Sequence, residues 1–245
     1  MKKLLFFLIL IAVCTTCTHY QPQIVSSELI AVNTTEKSAN NEISQWILPY
    51  KTALNTVMGV KIGQAQITLD RGLPECLLGN FITEVMGGYA KKQSKNYDFI
   101  ITNIGGLREA LPQGEITVGS IYNVFPFDNE LVMLTLSGKK VEQLCQEIAL
   151  QGGQITSGIE MYIDTISHEG KFIHINNLPL DTNRNYQVLT TDYLSFGNDK
   201  LYALADYSAI YSLKKPLREA IIEYVKKENK KGKKITAKLK NKGYL

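Results

Sequence analysis

The chain has 245 residues, 44% of them hydrophobic, and a formal net charge of +4 at pH 7. That is apolar material for one well-buried domain and hardly for two. Residues 226–242 hold nine Lys and one Glu, which leaves the remainder net negative, but no aromatic residues interleave with these lysines as a single-strand groove requires, so nucleic-acid binding is not expected.

In chain order, Lys2 and Lys3 precede ten apolar residues, 4–13. This core is too short to span a bilayer and reads as a secretion signal. Cys14 and Cys17 follow it. We expect a signal peptide over 1–17 with Cys17 as the acylated cysteine of a bacterial lipoprotein, Cys14 being the alternative. The protein is then exported and anchored to the cell envelope, in the periplasm or at the outer membrane. Residues 18–40 are mostly polar and read as a tether, with a short strand at 29–32. The domain is expected over 41–245.

Apolar residues at Ile43, Trp46, Ile47, Tyr50, Leu54 and Val57 have helical spacing, which places Trp46 in the core and Pro49 at a potential kink. Strands are expected at 62–69, 99–102, 131–136, 159–166, 172–175 and 186–191. Helices are expected at 77–89, ended by Gly87 and Gly88 or shortly after, and at 118–124, 139–150 and 216–227. Residues 235–239 read as a final edge strand guarded by lysines. Cys76 and Cys145 stand among apolar residues and read as small buried hydrophobes. Strands and helices interleave, so the fold class is mixed α and β, α+β.

One stretch carries chemistry. The strand at 99–102 leads into Asn103, Gly105, Gly106 and Arg108, and a second apolar run carries Phe125, Pro126, Phe127, Asp128 and Asn129. Adjacent glycines at a strand end permit positive φ and close approach of a ligand. Arg108 can fork onto a carboxylate or phosphate, and a turn can present Phe127 to a planar group. An anionic, aromatic ligand follows, with a nucleotide as the obvious candidate.

Asn103-x-Gly105-Gly106-Leu107-Arg108, Gly114-x-Ile116-Thr117 and Pro126-Phe127-x-Asn129 resemble, in order, the C-terminal domain of 5′-nucleotidases and UDP-sugar hydrolases. Glu75-x-x-Leu78-Gly79-Asn80 upstream and Tyr193 with Gly197-Asn198-Asp199 downstream extend the resemblance over roughly residues 60–245. It implies a single layered α/β/β/α domain in which two rings hold the base. Phe127 matches the first ring and Tyr193 the second, with Phe196 as the alternative. Arg108 matches a phosphate-gripping Arg after the Gly105-Gly106 pair. Asn103 and Asn129 match polar residues around base and ribose, and Asp199 the acid that accepts from ribose hydroxyls.

The chain departs from the pattern at two places. Asn198 and Lys200 stand where the family has glycines, and Arg71 is the only candidate for a further phosphate Arg, one position out of register. The resemblance does not extend to the family's metal-bearing, N-terminal metallophosphatase domain. The three histidines, His19, His168 and His174, lack metal-ligand spacing, whereas two-metal chemistry needs a cluster of N and O ligands. The expectation is an exported nucleotide-recognition domain of a split 5′-nucleotidase or UDP-sugar hydrolase, without catalytic residues or cofactors of its own. A separate metallophosphatase subunit would carry the divalent metals. The alternative is a stand-alone nucleotide- or nucleoside-binding lipoprotein that does not hydrolyse its ligand.

Overall fold

The computed structural model describes residues 41–240. The leader, Cys14, Cys17, the tether and the strand expected at 29–32 lie outside the described residues. Two units are distinguished, Met1–Ile47 and Leu48–Leu245. Of the first, only the opening turns of helix α1 (Asn41–Met58) are described. Pro49 lies inside α1, but Trp46 is 77% exposed, and Ile43, Tyr50, Leu54 and Val57 are exposed with it. Trp46 is therefore not core: helical spacing shows that an apolar stripe exists, not that anything covers it.

The second unit is built on a five-stranded sheet with the order β10-β4-β9-β2-β5. Its members are β2 (Phe99–Thr102), β4 (Glu130–Ser137), β5 (Ile155–Ser157), β9 (Asn185–Thr191) and β10 (Ala209–Pro216). Only β2 and β9 pair in parallel. The two faces follow from the period of two along a strand. Leu131 and Met133 of β4 join one core, with α2 (Leu77–Lys92) and α6 (Leu217–Lys230). Val132, Leu134 and Leu136 join the other, with α4 (Gly138–Leu150) and residues of β6 (Ile159–Ile163) and β7 (Gly170–Ile175). Each such buried aliphatic side chain contributes about 2–3 kcal/mol of transfer free energy. A three-stranded sheet of β6, β7 and β8 (Leu178–Pro179) and a pair of β1 (Lys61–Ala65) with β3 (Gly114–Thr117) complete the sheets. Among the described residues no helix is long and apolar enough to cross a membrane.

Four departures from the sequence reading have physical reasons. Helix α2 runs through Gly87 and Gly88, because Gly87 serves close packing: a Cβ there would stand 2.3 Å from the Tyr97 hydroxyl. The strand expected at 159–166 is preceded by β5, and Gly158, at φ +88°, turns the chain between the two. Strand β10 is an edge with Ile210 and Tyr211 exposed, so it lacks the alternation that marks a half-buried strand. Residues 235–239 form a single parallel bridge from Ile235 to Ala65 rather than a strand.

Cys76 caps α2, its sulfur accepting from the Gly79 amide at 3.3 Å. Cys145 is fully buried in α4, and that burial, with Glu142 nearby, pushes its thiol up to about 12. Since the thiolate is the reactive form, Cys145 should stay unlabelled by iodoacetamide at pH 8 in the folded protein and label fully in denaturant. Peptide mass spectrometry checks this.

Candidate functional site

Antiparallel β4 lies beside β9, which runs parallel to β2, so the exits of β2 and β9 and the entry of β4 meet at one end of the sheet. The three segments there surround a cavity of about 210 Å³ lined by Asn103, Gly105, Arg108, Phe127, Asn129, Tyr193 and Asp199. Of the residues expected from sequence, Gly106 alone does not line it.

After β2 the chain makes one 3₁₀ turn, Ile104–Gly106, anchored by the Ile104 amide donating to Gln154 Oε1 at 3.0 Å. Neither Gly105 nor Gly106 has positive φ; what distinguishes both positions is the close approach of neighbouring side chains. A Cβ at Gly105 would stand 3.2 Å from Asp199 Oδ2, and one at Gly106 3.1 Å from Asn103 Oδ1. Arg108 is exposed, and among the described residues its guanidinium makes only a long contact of 3.5 Å, from Nη1 to the Gly105 carbonyl. Among the described residues it forms no ion pair; Glu115 pairs with Lys61 instead. Arg71 donates to the Arg108 carbonyl at 3.4 Å and does not line the cavity.

Tyr193 sits in the short helix α5 (Asp192–Ser195) after β9. Asp192 Oδ1 ties that helix to β4 by accepting from the Glu130 amide at 3.0 Å and the Tyr193 amide at 2.7 Å. The Tyr193 hydroxyl donates to Asp199 Oδ1 at 2.8 Å, and Asn103 Nδ2 donates to Asp199 Oδ2 at 2.5 Å. The hydrogen bond to Asp199 is the main reason that the Tyr193 phenol titrates above its ordinary range. Asn198, in place of a family glycine, donates its side-chain amide to the Tyr193 carbonyl at 2.7 Å. Lys200 stands at φ +58°, a conformation glycine adopts freely and which costs a lysine about 1 kcal/mol. Phe196 is 75% exposed and outside the cavity wall, so between the two candidate rings the cavity takes Tyr193.

The sequence reading missed Arg218. It is buried at the first turn of α6, where a cation opposes the helix dipole. Its guanidinium donates to the carbonyls of Phe125 at 3.2 Å and Phe127 at 3.1 Å and pairs with Asp128. It also lies 4.0 Å from the Tyr122 ring centroid. Arg218 thus fixes the loop that carries Phe127, whose ring remains 45% exposed. The one signal in the sequence was a cation at a helix start, which is weak alone.

At one end of a mixed sheet, loops thus converge on a small cavity lined by one carboxylate, one guanidinium without an ion pair among the described residues, and two rings. The family described as 5′-nucleotidase, C-terminal domain, matches residues 57–206, and the chain belongs to it. The trifunctional nucleotide phosphoesterase protein YfkN of Bacillus subtilis is 30% identical over 180 residues, covering 65% of this chain and 12% of that protein. Protein UshA of Yersinia enterocolitica is 29% identical over 115 residues, covering 45% and 20%. The crystal structure of a 5′-nucleotidase precursor from Thermus thermophilus superposes with a TM-score of 0.72 at 23% identity, over 84% of this chain and 43% of that one. The chain therefore spans less than half the length of each of these proteins.

Proposed function

We propose that the chain recognises nucleotides in this cavity and presents them for phosphate-ester hydrolysis by a metallophosphatase on a separate subunit. The observation that carries the reading is the convergence, from three distant segments, of Arg108, the half-exposed Phe127 ring and the Tyr193–Asp199–Asn103 cluster. The base stacks between Phe127 and Tyr193, Asp199 and the two Asn side chains meet the ribose and base, and Arg108 grips the phosphate. A cavity of about 210 Å³ is smaller than pockets that enclose a whole ligand, about 300–1,000 Å³. It suits a base and sugar held with the phosphate left towards solvent. The hydrolytic step and its divalent metals belong to the partner subunit in this reading. Export and a lipid anchor at Cys17 complete the reading: a shared membrane raises the effective concentration of the two subunits.

Calorimetric titration with AMP, adenosine and a UDP-sugar tests the proposal. The purified chain should bind nucleotide without releasing phosphate, and release should begin when a metallophosphatase is added. Arg108→Ala should weaken AMP binding about 10- to 100-fold, the worth of a hydrogen bond to a charged group, while changing adenosine binding little. Absence of binding to all three ligands would sink the reading, and binding that no added phosphatase exploits would leave a nucleotide-binding protein.

A further inference from the structure

Residues 226–240 carry eight lysines, all of them exposed, in the last turns of α6 and the segment that follows it. Among the described residues only Lys231 of these is ion-paired, with Glu228 at 2.7 Å. Three neighbouring acids are engaged elsewhere: Glu219 and Glu223 pair with Lys215, and Glu84 accepts from the Tyr224 hydroxyl at 2.8 Å. The Glu228 carboxyl titrates below its ordinary range, chiefly through its hydrogen bond with Lys231, and the charges of Lys233 and Lys227 add to the effect.

The lysines beyond α6 stand on a fixed backbone. Gly232, at φ +71°, turns the chain, and Ile235 then joins the edge of β1. Its amide donates to the Gln64 carbonyl and its carbonyl accepts from the Gln66 amide, both at 2.7 Å. Asn80 Nδ2 donates to the Lys238 carbonyl at 2.9 Å, and the Lys240 amide donates to Glu75 Oε1 at 2.8 Å. Lys233, Lys234, Lys238 and Lys240 line one groove of about 410 Å³ against α2 and α6. The helix dipole accounts for Lys227 and Lys230 in the last turn of α6, but it fades within a turn and does not account for the lysines beyond. Nor do these guard a strand, since 235–239 form a single bridge.

The composition of the face selects its partner. Residues 226–242 contain no Arg and no aromatic residue, so the planar forks and stacking rings of a nucleic-acid groove are missing. A small anion would meet only a few of lysines spread from the end of α6 to residue 240. Leu239 is 54% exposed between Lys238 and Lys240. A lipid surface offers diffuse negative charge, and its headgroup layer takes in an apolar side chain while lysine stems lie along it.

We propose that this face seats the domain on a membrane containing anionic phospholipid, with Leu239 in the headgroup layer and the lysines over the phosphates. No residue of the groove lines the candidate nucleotide cavity. Arg218, beside the Phe127 loop, lies about 18 Å along α6 from Lys230. The seated domain therefore keeps its cavity open, and the inference stands apart from nucleotide recognition.

Partitioning of the purified chain onto vesicles, without nucleotide, tests it. The vesicles are phosphatidylcholine alone or with phosphatidylglycerol as about a third of the lipid. The wild type should favour the anionic vesicles about 100-fold or more, at about fivefold per lysine near the surface. The preference should vanish between about 0.1 M and about 1 M salt, as the Debye length falls from about 10 to about 3 Å. Any contribution of the apolar residues 4–13 is common to both vesicle types. Lys233→Gln with Lys234→Gln should reduce the preference about 25-fold. Lys139→Gln with Lys140→Gln, which takes the same charge from α4 on the other face of the sheet, should change it less than about twofold. Leu239→Gln should weaken vesicle binding about tenfold. Equal partitioning onto the two vesicle types, or equal losses from the two lysine pairs, overturns the inference. A single-stranded oligonucleotide that binds more tightly than the anionic vesicles, with Leu239→Gln indifferent in both assays, makes nucleic acid the partner and overturns it as well.

Discussion

Arg218→Ala is expected to destabilise the domain by about 3 kcal/mol and to weaken nucleotide binding about tenfold. The side chain is 8% exposed, and its removal leaves the Phe125 and Phe127 carbonyls without their donor and strips the Tyr122 ring of its stacked guanidinium. Orphaned buried acceptors cost more than the net worth of the bonds they lose. Asp128 is different, because its side chain is 80% exposed: Asp128→Asn should cost less than about 1 kcal/mol, as exposed ion pairs do. Arg218→Lys should fall between, since an ammonium cannot span two carbonyls and a carboxylate as a planar fork does. Urea denaturation gives the stabilities and calorimetry the affinities. If Arg218→Ala leaves both unchanged, Arg218 does not hold the Phe127 loop.

The elements that periodicity marks were legible where burial is one-sided or complete. Strand β2, with all four residues buried, and helix α3 (Val118–Val124), with its Thr117–Ser120 capping box, fall where the spacing places them. What spacing cannot convey is what lies opposite. Trp46 sits on a good helical stripe and is nonetheless exposed, and Gly87 looks like a helix stop until Tyr97 is seen packed against it. The cavity was legible for a different reason. No local pattern links Asn103 to Asp199, 96 residues apart; the resemblance to a family named both, and the parallel pairing of β2 with β9 explains why they meet. Arg218 escaped because its partners lie about 90 residues away and belong to no motif. The hydroxyl of Tyr193 escaped because, as a stacking ring, tyrosine passes for phenylalanine.

Phe127→Ala is expected to leave the fold intact and to weaken nucleoside binding about 10- to 100-fold. The ring is 45% exposed, so little core is lost with it, and its backbone stays fixed by Arg218. Stacking of one base on one aromatic side chain is worth about 1–3 kcal/mol, and each 1.4 kcal/mol is a factor of ten in affinity. Phe127→Leu should recover only part of the loss, since it restores apolar contact without a π face, whereas Phe127→Trp should bind at least as tightly as the wild type. Phe127 is the cleaner of the two rings to test, because truncating Tyr193 would also release Asp199. Adenosine and ribose 5-phosphate, titrated into each variant, separate the causes. Adenosine affinity lost with ribose 5-phosphate unchanged assigns the ring to the base. Equal losses of both would mean that the loop had moved, which is the pattern reserved for Arg218→Ala, and would remove Phe127 from the stacking role.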